Sequence, residues 1–155
     1  ALAAMGIADL RERTIDSLSG GQKQKVAVAS VVALKPRVLV LDEPTAELDP
    51  ASSVAVFEIL AHYARENGTT VIVVEQKIAL LSDYADLLVI VDGGSIRYAG
   101  TPDEVLAHSD ELLALGVNCP RSTTLMNALA RRGLYDGPAV RSVAQAVAAC
   151  KEVLA

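Results

Sequence analysis

Two stretches of this chain place chemically able residues in a telling order. In Val38-Leu39-Val40-Leu41-Asp42-Glu43-Pro44-Thr45, an apolar run leads straight into two adjacent carboxylates. Such a run reads as a strand buried on both faces, as in a parallel sheet. The strand delivers its next residues to the carboxyl edge of the sheet, where α/β proteins bind ligands. Asp42 there suits Mg²⁺, which takes hard oxygen ligands and keeps several waters. Glu43, beside that charge, suits taking a proton from an attacking water. The same acids also suit an ordinary strand end, with Pro44 starting a turn.

The second stretch is Leu18-Ser19-Gly20-Gly21-Gln22, ahead of a segment of helical length. Ser19 and Gln22 make the Ser-x-x-Gln spacing of a capping box, which alone would account for both. A helix start also offers unpaired backbone N–H groups and partial positive charge, and glycine has no side chain to hold an anion away. Each glycine costs roughly 1 kcal/mol against alanine inside a helix. Placing a pair of them here therefore fits contact with a phosphate.

With Ala46-Glu47-Leu48-Asp49-Pro50, these stretches resemble the ATP-binding-cassette (ABC) ATPases. Residues 18–22 correspond to the family's signature motif, 38–43 to its Walker B and 46–50 to its D-loop, in the family's order. The resemblance implies an α/β fold: a partial ABC-type P-loop ATPase core with a mostly parallel sheet, flanking helices and a small helical C-terminal extension. It implies ATP and Mg²⁺ as ligands, with Asp42 positioning the metal through water and Glu43 acting as general base. Ser19, Gly20, Gly21 and Gln22 would hold the γ-phosphate of a partner subunit's ATP, and Asp49 would link the two sites. Gln76 takes the switch position, where the family usually has a histidine that contacts the terminal phosphate. An amide donates a hydrogen bond but carries no charge near pH 7, so this departure bears on the hydrolysis rate.

Farther along, Val74-Glu75-Gln76-Lys77, Thr101-Pro102-Asp103-Glu104-Val105-Leu106 and Leu115-Gly116-Val117-Asn118-Cys119-Pro120 resemble the energy-coupling-factor and cobalt-type importer ATPases. Their helical tail helps to pair two ATPase subunits. The implied partners are a second ABC ATPase subunit, identical or different, and transmembrane transporter subunits, at the cytoplasmic face of the membrane. The division that follows is 1–108 for the ATPase part and 109–155 for the helical extension.

These residues need elements to position them. The segment from Gln22 to Leu34 is rich in β-branched valine, which allows a strand, but its length and cap favour a helix. Asp49-Pro50 reads as an N-cap with proline at the first helical position, opening a helix to about residue 66. Val54, Phe57, Ala61 and Ala64 fall on one of its faces. A strand over 69–74 follows, then a short helix from Ile78 to Leu81. Asp86 to Val91 and Ser95 to Ala99 read as a hairpin around Gly93-Gly94, and Thr101-Pro102 opens another helix. Residues 111–115 read as an apolar stretch that Gly116 breaks, and residues 122–132 as a helix ending at Gly133. Val140, Val143, Val147, Cys150 and Leu154 are spaced as one apolar helical face. Leu2, Met5 and Leu10 give a weak helical signal at the start.

Composition narrows the function. A length of 155 residues allows one domain or part of one. Net charge of −5 argues against a nucleic-acid surface. No apolar run approaches a bilayer-spanning length, and the start carries no signal-peptide pattern. Cys119 and Cys150 form no metal or redox pattern, which favours a reducing, cytoplasmic setting. His62 and His108 read as surface or half-buried histidines. No phosphate-cradling Gly-Lys-Ser/Thr loop is present: Gly20-Gly21-Gln22-Lys23 has the wrong spacing and Gly93-Gly94-Ser95 lacks the lysine. With that loop absent and Ala1 at the start, the chain reads as the second half of a cassette, unable by itself to bind ATP tightly or turn it over. Two other readings stay open: a soluble ABC protein of DNA maintenance or translation, and a non-catalytic interaction module made by truncation.

Overall fold

The computed structural model describes residues 2, 3 and 5–154, with side chains through residue 152. Ala1 and the side chain of Leu154 lie outside the described residues. The chain divides into two compact units, residues 1–75 and 76–155.

The first unit opens with turns and two short 3-10 helices, Ala8–Leu10 and Ile15–Ser17. The weak helical signal at residues 1–10 thus forms no α-helix among the described residues, although Met5 and Leu10 are buried. Helix α1 (Gly20–Ala33), strand β1 (Val38–Asp42), helix α2 (Pro50–Asn67) and strand β2 (Thr70–Val74) follow. The valines of α1 do not turn it into a strand. Its capping box forms, and Val28, Ala29 and Val32 bury against Leu39, Leu41, Val56 and Leu60, so packing outweighs the β-branched propensity.

Strands β1 and β2 pair in parallel, with Asp42 opposite Val74. The expected burial of β1 on both faces is corrected: exposure alternates, with Leu39 and Leu41 buried while Val38 and Val40 are 55% and 63% exposed. Ile72 and Val74 of β2 are exposed as well. Residues of α1 and α2 cover the Leu39–Leu41 face, and no described residue buries the other. Each valine or isoleucine left in water forgoes roughly 1.5–3 kcal/mol relative to full burial. The buried face of α2 is also rotated from the expected one. Ser53, Val56, Phe57 and Leu60, at i, i+3, i+4 and i+7, face inward, while Val54 is exposed.

The second unit contains helix α3 (Ile78–Tyr84), the antiparallel hairpin of β3 (Leu88–Asp92) and β4 (Ser95–Gly100), and helices α4 (Pro102–Leu106), α5 (Ser109–Ala114), α6 (Arg121–Arg131) and α7 (Val143–Leu154). Gly93 and Gly94 both have positive φ, as a two-residue hairpin turn requires. One core cluster gathers Ile78, Leu88, Val105, Leu106 and Leu112. A second gathers Met126, Val140, Ala146 and Ala149. The expected face of α7 is corrected here: Val143 and Val147 are exposed, and Ala146 and Ala149 are buried. Small side chains let the helix lie close to Met126, where Cys150 Sγ approaches Met126 Sδ at 3.9 Å. Burial pushes the Cys119 thiol up from its ordinary value, which disfavours the reactive thiolate. His62 pairs with Glu66 at 3.2 Å and His108 stacks on Tyr98, both at the surface. No helix among the described residues is long and apolar enough to cross a membrane.

Candidate functional site

Asp42 ends β1 at the carboxyl edge of the parallel pair, and its side chain is exposed. Glu43 then leaves the strand with φ +45°, a left-handed conformation that residues with a β-carbon seldom adopt. Its N–H donates to the Val74 carbonyl at 2.8 Å, so the β ladder runs one bond past the strand. Its carbonyl accepts from the Ala46 N–H at 3.2 Å and from Gln24 Nε2 at 3.3 Å. Pro44 and Thr45 are fully buried behind it. The Thr45 hydroxyl donates to the Glu75 carboxylate, the residue after β2. Thr45 and Glu75 stand within motifs of the sequence and Gln24 does not, but no spacing pattern points from any of the three to Glu43.

The tip of α1 forms its capping box in full. Ser19 Oγ accepts the Gln22 N–H at 3.3 Å, and Gln22 Oε1 accepts the Ser19 N–H at 3.0 Å. The Lys23 N–H donates to the Ser19 carbonyl, so of the first-turn amides those of Gly20 and Gly21 are left over. The glycines have a second reason besides an anion. A β-carbon on Gly20 would lie 3.3 Å from Glu47 Oε2, and one on Gly21 would lie 3.3 Å from the Glu47 carbonyl oxygen. The loop carrying Glu47 and Leu48 thus packs directly against the helix tip. Asp49 caps α2, accepting the Ser52 N–H at 3.0 Å. Hydrogen bonds from the Ser52 hydroxyl and then its amide hold the Asp49 carboxyl below its ordinary value.

A cavity of about 310 Å³ opens between these parts, lined among others by Asp9, Ser19, Gly21, Lys25, Glu47 and Asp49. Ser19, the Gly21 amide and Lys25 are donors of the kind a phosphate end requires. Three lining carboxylates, Asp9, Glu47 and Asp49, oppose a free polyanion, so a nucleotide here needs further cationic partners. The residues fit one end of a nucleotide and not the whole. For Mg²⁺ the test is similar. No three His, Cys, Asp or Glu side chains among the described residues converge on one point. A nucleotide-bound Mg²⁺ is held by one or two carboxylates plus phosphate oxygens and water. A single exposed carboxylate at a strand end, which is what Asp42 offers, fits that donor set.

The structure therefore groups Ser19, Gly20, Gly21 and Gln22 with the loop leading to Asp49, and places Asp42 and Glu43 at the rim of β1 with Gln24 behind them. Gln76 belongs to the second unit, in the turn between β2 and α3, where its carbonyl accepts the Ile78 N–H at 2.9 Å.

Comparison with known proteins gives the following. The family profile described as ABC transporter matches residues 1–46. The energy-coupling factor transporter ATP-binding protein EcfA2 of Symbiobacterium thermophilum is 39% identical over 146 residues, covering 94% of this chain and 50% of that protein. EcfA1 of Lacticaseibacillus paracasei is 39% identical, with 86% of this chain and 48% of that protein covered. Among solved structures, cbiO1 from Clostridium perfringens, part of the ABC transporter complex cbiONQ, superposes with TM-score 0.63 at 34% identity over 81% of this chain and 50% of that chain. A post-hydrolysis state of the ATP-binding cassette MJ0796 bound to ADP and Pi superposes with TM-score 0.58 at 28% identity over 65% of this chain and 45% of that chain. The chain spans about half the length of the relatives that it matches.

Proposed function

We propose that this chain belongs to the ABC transporter ATP-binding domain family and supplies the signature and Walker B half of an ATP-hydrolysing subunit of an energy-coupling-factor type importer. The single observation that carries the reading is the loop at the rim of β1. It presents an exposed Asp42 and, next to it, a Glu43 whose main chain is tied on both sides. In this reading Asp42 positions Mg²⁺ through water, and Glu43 takes the proton of the attacking water. Bound Mg²⁺ would supply neutralisation of charge on the phosphate oxygens. Ser19, Gly20, Gly21 and Gln22 offer hydrogen bonds to the γ-phosphate of ATP held mainly by a second ATPase subunit. Asp49 stands beside them as the link between the two sites. Gln76 orients phosphate or water through its amide and, being uncharged, slows the reaction relative to a histidine.

The partners in this proposal are a second ABC ATPase subunit and membrane-spanning transporter subunits, and the place of work is the cytoplasmic face of the membrane. Residues 1–108 form the ATPase part, and residues 109–155 form a helical extension that assists pairing. The missing cationic hold on the nucleotide is assigned to a phosphate-binding loop outside the chain. A second reading, a truncated interaction module, is favoured by one observation: Val38, Val40, Ile72 and Val74 stand exposed on one sheet face.

The test joins the chain to the N-terminal half of an EcfA-type subunit and measures Mg²⁺-ATP turnover beside the chain alone. The expected result is turnover in the joined protein and none in the chain. A joined, folded protein that binds no ATP would remove the reading, as would full turnover by the chain alone.

A further inference from the structure

Glu43 sits in a conformation that its own sequence opposes. Besides Lys35, which follows the end of α1, it is the non-glycine residue with positive φ among the described residues. Left-handed residues are routine just past a helix end. Glu43 follows a strand instead, and it precedes Pro44, which by itself biases the residue before it toward extended conformations. A β-carbon, a following proline and a strand on the N-terminal side all favour relaxation to φ < 0. Contacts from elsewhere must hold the residue where it is.

Those contacts come from two elements. From β2, the Val74 carbonyl takes the Glu43 N–H, and the adjacent Glu75 carboxylate takes the hydroxyl of the buried Thr45. From α1, Gln24 Nε2 donates to the Glu43 carbonyl. Both polar atoms of the Glu43 main chain are thereby anchored, the N–H to β2 and the carbonyl to Gln24 as well as to the Ala46 N–H of its own turn. Losing the tie to α1 or to β2 loosens the hold on φ. Rotation about φ swings the Cα–Cβ bond, so the carboxylate is displaced even though the fold around it stays intact.

We propose that Gln24 and Glu75 are positioning residues: they hold the main chain of residues 43–45 in its left-handed form and so aim the Glu43 carboxylate. The inference rests on the reading of Glu43 as the general base. Gln24 lies one turn into the helix whose tip carries Ser19–Gln22, so the same helix that offers donors to phosphate also sets the direction of the base.

The test is a double-mutant cycle in the joined subunit, read by single-turnover ATP hydrolysis, ATP affinity and thermal midpoint. Gln24→Glu is nearly isosteric and removes the donor at neutral pH. It is expected to lower the chemical step about tenfold, the scale of a misplaced group, with ATP affinity within about twofold. Glu75→Gln keeps an acceptor for Thr45 and is expected to retain the rate, whereas Glu75→Leu loses it. In a Glu43→Gln background, Gln24→Glu is expected to change nothing further, because the group it aims is gone. A full Gln24→Glu effect in that background would overturn the proposal, and so would loss of ATP affinity with an unchanged chemical step. Should Gln24→Glu fail to fold, Gln24→Met takes its place in the cycle. An unchanged rate in Glu43→Gln alone would instead remove the general-base reading, which keeps the two failures distinguishable.

Discussion

In the first unit the side-chain hydrogen bonds of Gln24 and Thr45 fix one short loop, residues 43–45, from two directions. In the second unit they tie helices to helices. Asn127 Nδ2 donates to the Leu106 carbonyl at 2.8 Å and to Ser109 Oγ at 2.9 Å. Thr123 Oγ1 donates to the Val140 carbonyl at 2.8 Å, and Arg141 reaches both the Ser82 carbonyl and Asp103. The second pattern is what short helices need, since α4 and α5 have too few residues to be stable by themselves. The first pattern stabilises no helix or strand. It holds the strained Glu43 beside Asp42, and strain of that kind, costing of order 1–3 kcal/mol, persists where the surroundings over-determine it. The polar contacts of Asn127, Thr123 and Arg141 thus serve assembly in residues 76–155, whereas those of Gln24 and Thr45 hold the loop that carries Glu43 in residues 1–75.

If the contrast holds, the two units respond differently to loss of a hydrogen bond. The largest effect on stability is expected for Asn127→Ala, which strips donors from the Leu106 carbonyl and from Ser109. It should cost about 1–3 kcal/mol in chemical denaturation while leaving ATP turnover per folded joined molecule unchanged. A drop in turnover would blur the division between the units. A smaller effect is expected at Asp49. Hydrogen bonds from Ser52 lower its folded-state pKa below the ordinary 3.8. The carboxylate's contribution as cap of α2 is therefore complete above about pH 3.8 and drains as pH falls through the lowered folded value. The thermal-midpoint gap between the parent and Asp49→Ala should be constant at neutral pH and shrink below pH 4. A gap that widens on acidification would contradict the cap geometry.

Several of these features were legible in the sequence. Ser19-x-x-Gln22 spells its capping box, Asp49-Pro50 spells a helix start, and the apolar run at 38–41 spells a strand that pairs in parallel. What stayed illegible has physical reasons. An apolar run records what a strand can bury and not what is present to bury it, so the run alone does not mark the bare face of Val38 and Val40. In α7 the spacing of the valines competed with that of Ala146 and Ala149, and the close approach of Met126 decided for the small residues. At Glu43 the usual marker of a left-handed residue, glycine, is absent. Gln24 and Glu75 are remote in sequence from the loop they hold, and so carry no local signal.

The central claim is that Glu43, held in its left-handed loop beside Asp42, takes the proton from the water that attacks ATP. It is tested most directly by single-turnover hydrolysis of Mg²⁺-ATP in the joined subunit with Glu43→Gln. A chemical step about 10²- to 10⁴-fold slower, with ATP affinity retained, is the predicted result. A rate equal to that of the parent protein would contradict it.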